Sequence, residues 1–309
     1  MFDSPLFMLA AIAATFFIAG LIKGVTGMGL PTVAMGVLGT LIAPVTAATL
    51  LIVPSFVTNV WQLVAGPSFG RLVRRLWPMM LAITAGTVAG TSLLASGDTK
   101  LTTSALGAAL VVYAAYTLLA RQLLVPPRYE SWLSPVIGLT TGVVTGGTGV
   151  FVIPAVPYLQ ALGLEKDDLV QALGLSFTVS TVALAAGLAL RGAFHLDNLA
   201  MSTLAIAPAL AGMWAGQIIR NKVSPSTFRR WFLIGLLLLG VEMLARGNAD
   251  NATASLSQRD RYHPIDRPFP EFDGAAGYAR RKDLDFLDPR NARQFSSGQL
   301  LIYVIQRPA

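Results

Sequence analysis

The chain has no cysteine and only two histidines, His195 and His263. Disulfides, thiolate metal sites and cysteine nucleophiles are therefore excluded. It also lacks a His-Glu-x-x-His pair to hold a catalytic zinc and a Gly-x-x-x-x-Gly-Lys-Ser/Thr run to cradle a nucleotide phosphate. No metal or cofactor is implied, and an enzyme would have no visible set of nucleophile, base or metal ligands. Charge is equally scarce, at 13% of residues against roughly 25% in soluble domains. What fills the space is apolar: 54% of residues are hydrophobic, and the mean hydropathy is +0.61.

The apolar residues come in uninterrupted lengths. Stretches 24–70, 76–97, 101–120, 131–164, 169–190 and 198–219 carry no charge. About 20 apolar residues rising 1.5 Å each cross a hydrocarbon core of about 30 Å. Backbone groups in lipid must be satisfied within the segment, and the runs lack the period-two alternation of a barrel. The sequence thus predicts an all-α polytopic membrane protein whose bilayer is its principal partner. At the N-terminus an acid, Asp3, stands where a signal peptide has its basic region, so a cleaved signal is not expected. The net charge of +7 does not imply nucleic acid, because the basic residues sit in short connections between spans, as membrane topology requires.

Charge density divides the chain near residue 246. The first 246 residues hold 14 Lys/Arg and 8 Asp/Glu; the last 63 hold 9 and 8. That polar stretch, 247–309, reads as a disordered tail, within which Gln299–Ile305 alone has the apolar character of a short docking segment. The membrane part contains an internal echo. Gly20-Leu-Ile-Lys-Gly24-Val-Thr-Gly27-Met-Gly29-Leu-Pro31 is matched by Gly138-Leu-Thr-Thr-Gly142-Val-Val-Thr-Gly-Gly147-Thr-Gly149, with Pro154 shortly after. Gly66 to Arg71 aligns with Gly192 to Asp197, and Gly86-x-x-x-Gly90 with Gly212-x-x-x-Gly216. Two pseudo-repeats follow, 1–122 and 132–246.

Each repeat accommodates four or five segments, for 8–10 in all. Five gives 5–22, 30–43, 46–65, 76–95 and 102–120, then 132–145, 150–163, 169–190, 199–219 and 229–246. An odd number inverts one repeat against the other, a common transporter plan. Loop charge favours it: with ten segments, ten Lys/Arg fall on one side (71, 74, 75, 121, 128, 166, 220, 222, 229, 230) and three on the other (100, 191, 246). Segments 30–43 and 150–163 are short enough to be half-helices.

The Gly-rich stretches are where chemistry is expected. Glycine costs about 1 kcal/mol in a helix interior, and a following proline removes a hydrogen bond. Helices broken at 24–31 and 142–154 would expose backbone N–H groups and the positive end of a half-helix dipole, which suit an anion. Candidate binding residues are Lys23, Gly24, Thr26, Gly27 and Gly29 in the first repeat, and Gly142, Thr145, Gly146, Gly147, Thr148 and Gly149 in the second. The competing reading for the glycines is close helix packing, which is preferred for Gly86, Gly90, Gly212 and Gly216. Lys23 is the only charge after Asp3 in the first 70 residues; it would neutralise an anion, pair with an acid, or snorkel to the interface. Asn59, Gln62, Gln171, Ser176, Thr178 and Ser180 either line a pathway or join helices by hydrogen bonds. Pro54 is placed to kink its helix. Arg71 and His195 read as loop residues and Glu242 as interfacial.

The duplicated Gly-rich motifs ending in proline, with the Gly-Pro-Ser-Phe-Gly-Arg turn (66–71) and the Gly-x-x-x-Gly span after it, resemble the sulfite exporter TauE/SafE family over about 8–246. The resemblance implies a multi-pass permease of the bacterial plasma (inner) membrane, usually with about eight spans, moving sulfite, a sulfonate or a small organic acid. With no nucleotide site, a proton or ion gradient or the solute's own gradient would drive it by alternating access. A homo-oligomer remains open. The alternative is a membrane scaffold or assembly subunit without transport.

Overall fold

The computed structural model describes residues 5–119, 124–194, 196–220 and 225–261. Among these every regular element is helical: α1 (Pro5–Thr26), α2 (Leu30–Leu41), α3 (Pro44–Val64), α4 (Phe69–Leu94), α5 (Thr99–Leu119), α6 (Pro127–Thr148), α7 (Ala155–Ala161), α8 (Lys166–Leu190), α9 (Leu196–Leu204), α10 (Ile206–Arg220) and α11 (Pro225–Arg261). One compact unit comprises Met1–Gln258 and a second Arg259–Ala309, of which only the end of α11, to Arg261, is described.

Six helices are long and apolar enough to cross a membrane: α1, α3, α4, α5, α8 and the stretch Leu199–Arg220. Of these, α3 and α8 are the most enclosed and form the centre. All five tryptophans (61, 77, 132, 214 and 231) are 55% or more exposed, which a water-facing protein avoids but a bilayer-facing one uses at the headgroup level.

Two glycine seams fix the helix directions. A methyl on Gly86 would lie 3.1 Å from the Cα of Gly142, and one on Gly90 3.2 Å from that of Gly146. Residue numbers rise together, so α4 and α6 run parallel. Likewise Gly212 meets Phe17 and Leu21 while Gly216 meets Leu21 and Gly24, so α1 and α10 run parallel. Helices α3 and α8 are antiparallel, since Asn59 reaches Thr181 while Gly174 abuts Gln62 and Leu63. Without a return through α7, α3 and α8 would run the same way; with it, α1 and α10 run parallel only if α2 returns the chain too. The chain therefore alternates direction through ten segments, with α9 and α10 forming one. Yet α2 has 12 residues and α7 only 7, about 18 and 10 Å, so extended backbone completes both returns.

The glycine-rich helices do break. α1 ends at Gly27 (φ 80) and Gly29 (φ 104), α6 at Gly149 (φ 72), left-handed conformations that only glycine adopts cheaply. Pro31 then starts α2, where its missing N–H is no loss. Pro208, lacking the donor that would continue α9, accompanies the division of the 199–219 segment at Ala205.

One boundary needs correction. The sequence places a disordered tail from 247, but α11 continues to Arg261. The stretch 248–261 contains neither glycine nor proline and has five alanine, leucine or glutamine helix formers at 249, 252, 254, 256 and 258, so its polarity misled: helical backbone does not need an apolar face. His195, the loop cations 121 and 222, and the chain from 262, including Gln299–Ile305, lie outside the described residues.

Candidate functional site

Polar residues recur along α3 at 55, 58, 59 and 62, the spacing of one helix face. All four are buried. Lys23, one turn before the end of α1, crosses to this face. Its Nζ donates to Asn59 Oδ1 and, over 3.2 Å, to Thr58 Oγ1. Asn59 Nδ2 in turn donates to Thr181 Oγ1 of α8 (3.4 Å). Toward the end of the helix, Gln62 Nε2 donates to Gly27 O (3.0 Å), where α1 breaks, and to Val170 O of α8 (2.8 Å). One turn in the other direction lies Ser55, fully enclosed, whose hydroxyl has no partner.

Lys23 is 3% exposed and forms no ion pair among the described residues. Of its three readings, pairing with an acid is the one not found among the described residues, since both its partners, Thr58 and Asn59 of α3, are neutral. An ammonium has three donors, and these bonds occupy two. Next to it is a cavity of about 310 Å³ lined by Lys23, Gly24, Gly27, Gln62, Asp167 and Arg220, among others. Asp167 is exposed at its rim, and beside it Asp168 is buried and paired with Arg71 across 2.6 Å. Gln171 holds this end together. Its Nε2 donates to Leu63 O (2.7 Å) and Gly66 O (2.8 Å), and its Oε1 accepts from Ser68 N (2.7 Å).

The two glycine clusters end two different helices. Gly27 lies against Gln62, level with Val170 at the start of α8. Gly147 faces Leu93 near the end of α4, level with the Arg191–Thr91 hydrogen bond (2.7 Å) at the end of α8. Met35, six residues into α2 from Gly29, packs against Gly149 and so links the two breaks. Each break sits at the far end of its own helix, and the helices run in opposite senses.

Nor do all the expected site residues face a void. Gly24, Gly142 and Gly146 lie in the helix seams, where an added methyl would strike the backbone of α10 or α4, although Gly24 also touches the cavity. Gly29 opens α2, with Phe232 nearby. Gly149 packs on Met35. The threonine hydroxyls serve the breaks themselves: Thr26 Oγ1 donates to Ile22 O or Met28 O and lies 3.3 Å from Met28 N, Thr145 Oγ1 donates to Val150 O (3.3 Å), and Thr148 Oγ1 donates to Val144 O and accepts from Val150 N (3.2 Å). Ser176, like Ser180 and Ser55, is buried with an unpartnered hydroxyl. Sequence reasoning missed Ser55, Thr58 and Thr181; the polar face around Pro54 was the signal available for the first two.

Long apolar helices with exposed tryptophans, enclosing a buried lysine and a cavity open at one end, define a multi-pass membrane protein. The chain belongs to the sulfite exporter TauE/SafE family, whose sequence model matches residues 12–243. No curated protein and no solved structure matches it.

Proposed function

We propose that this protein is a secondary transporter of a small anion, such as sulfite, a sulfonate or a small organic acid, in a bacterial plasma membrane. One observation carries the reading: Lys23 is buried beside a cavity and hydrogen-bonded only to neutral groups. A buried cation without a counter-charge is costly, and a bound anion removes that cost. The third N–H of Lys23 would hold one of its oxygens.

Transport would proceed by alternating access along α3. The cavity lies at the end of α3 where Arg71, Arg74, Arg75, Lys166 and Arg220 also cluster, the cytoplasmic side by the positive-inside rule. Past Ser55 the helix turns apolar at Leu50, Leu51 and Ile52, all buried. A smaller cavity of about 160 Å³ lies near its other end, lined by Thr46, Thr49, Gly97 and Ala193. The apolar turn next to Pro54 would be the closed gate, since Pro54 leaves a backbone carbonyl without its helical donor and permits bending. The parallel pairs α1–α10 and α4–α6 are those that an inverted repeat would interchange, and would move as two rigid pairs about α3 and α8. A proton or ion gradient, or the anion's own, would supply the energy.

Purified protein in liposomes should move radiolabelled sulfite, a short sulfonate or a carboxylate. Lys23→Gln should lower that flux at least about tenfold, the effect of losing one charge-assisted hydrogen bond in a buried site. Undiminished flux in a correctly inserted K23Q variant would refute the site.

A further inference from the structure

The proposed site carries a charge balance that distinguishes among anions. Among the cavity-lining residues three are ionisable, Lys23, Asp167 and Arg220, and their formal charges leave one net positive. The nearest further acid and base at the rim, Asp168 and Arg71, neutralise each other. At the inner end the ligand would meet Lys23 as the sole charge, because Gln62, which lines the cavity beside it, and the Lys23 partners Thr58 and Asn59 behind it are uncharged. Of these, Asn59 has already committed its Oδ1 to Lys23, and the Gln62 amide donates to two backbone carbonyls.

We infer that the site takes a singly charged oxyanion and excludes doubly charged ones. This rests on the reading of Lys23 as the anion site. One ammonium compensates one negative charge. A second charge at the same depth would be stripped of water with no cation or free amide to receive it, and several kcal-scale desolvation terms oppose that in a buried setting. Neutral groups do not replace a missing counter-ion. Arg220 cannot fill that role, since it lies at the partly exposed end of α10 with Asp167 lining the same cavity. For an acid whose second ionisation falls in the neutral range, such as sulfurous acid, the species carried would be the hydrogen form.

Methanesulfonate and sulfate test this, because they are similar in size and tetrahedral shape, and each keeps one charge state across the neutral range. In liposomes loaded with the full-length protein, both would be titrated as competitors of radiolabelled sulfite flux at constant ionic strength. Methanesulfonate should compete at least about 100-fold more effectively than sulfate, the ratio that an uncompensated buried charge produces. Asp167→Asn, at an exposed position where folding is not at issue, raises the net charge of the lining and should narrow that ratio by about threefold or more. Sulfate competing as well as methanesulfonate would overturn the inference while leaving anion transport standing. A ratio unchanged in D167N would overturn the assignment of selectivity to the cavity's charge balance. Absence of any anion-dependent flux would defeat the transport reading itself, and this inference with it.

Discussion

Replacing Gly142 by alanine adds one methyl group to the α4–α6 seam, and the structure gives its surroundings. The new Cβ would lie 2.7 Å from Thr87 N and 2.9 Å from Gly86 C, and closer still to Ile83 O. Non-bonded carbon contacts settle at about 3.5–4.0 Å, so the two backbones must separate by roughly 0.7–1 Å. The atoms met are backbone, with no side chain able to turn aside. Overpacking of this kind costs about 1–3 kcal/mol, and the neighbouring Gly86, Gly90 and Gly146 contacts loosen with it. Gly147 in the same helix is the control. There a Cβ meets only Leu93 Cδ2 at 3.2 Å, a movable side chain, while replacing a helical glycine by alanine stabilises by up to about 1 kcal/mol. At about 2–4 °C per kcal/mol, Gly142→Ala should unfold about 2–10 °C below the native chain in detergent, and Gly147→Ala at or slightly above it. Thermal unfolding followed by size-exclusion fluorescence reads both. A Gly142→Ala protein as stable as Gly147→Ala would refute the seam, and with it the parallel pairing of α4 and α6.

Gln171→Leu should destabilise by about 2–4 kcal/mol, since Leu63 O, Gly66 O and Ser68 N all lose a partner at a buried turn; protease nicking at 65–68 would rise with it. Arg71→Ala should cost under about 1 kcal/mol by the same thermal assay, because the Arg71 side chain is 68% exposed in its pair with Asp168. The native chain has no cysteine, so single cysteines at Lys100 and Arg74 report topology without background. A membrane-impermeant maleimide on intact cells should label the first and not the second; labelling of both or of neither would contradict the alternation of direction through α4.

Much of this architecture was legible in the charge pattern. Runs without charge predicted the helices because lipid leaves the backbone no other solution, and the predicted segments 46–65 and 169–190 fall within a few residues of α3 and α8. Loop charge also favoured ten alternating segments; the antiparallel α3–α8 pair accords with a return through α7, while six of the described helices are long and apolar enough to span. The glycine clusters were harder, since one residue type performs two tasks. Gly27, Gly29 and Gly149 break helices through positive φ, whereas Gly24, Gly142 and Gly146, a turn or less away, admit a neighbouring backbone. Sequence spacing cannot separate these, because the difference lies in what stands opposite, and that belongs to a helix far away in the chain. The tail to Arg261 was misread for a related reason: lack of an apolar face says nothing about whether a polar helix forms.

Lys23 shows the same limit from the other side. As a lone charge in 70 residues it was conspicuous, but its meaning depended on whether an acid stood near it. Asp167 and Asp168, more than 140 positions later, are brought to the same end of the molecule, yet one is exposed at the cavity rim and the other is paired with Arg71. Neither reaches the ammonium. Had Asp168 turned inward, Lys23 would be a structural ion pair and the cavity would offer an anion nothing. The Arg71–Asp168 pair holds that carboxylate outside the cavity lining. Removing Arg71 should then weaken anion flux even where the fold is unharmed, which liposome flux in the Arg71→Ala protein measures directly; flux equal to that of the native chain would mean that Asp168 stays outside without help.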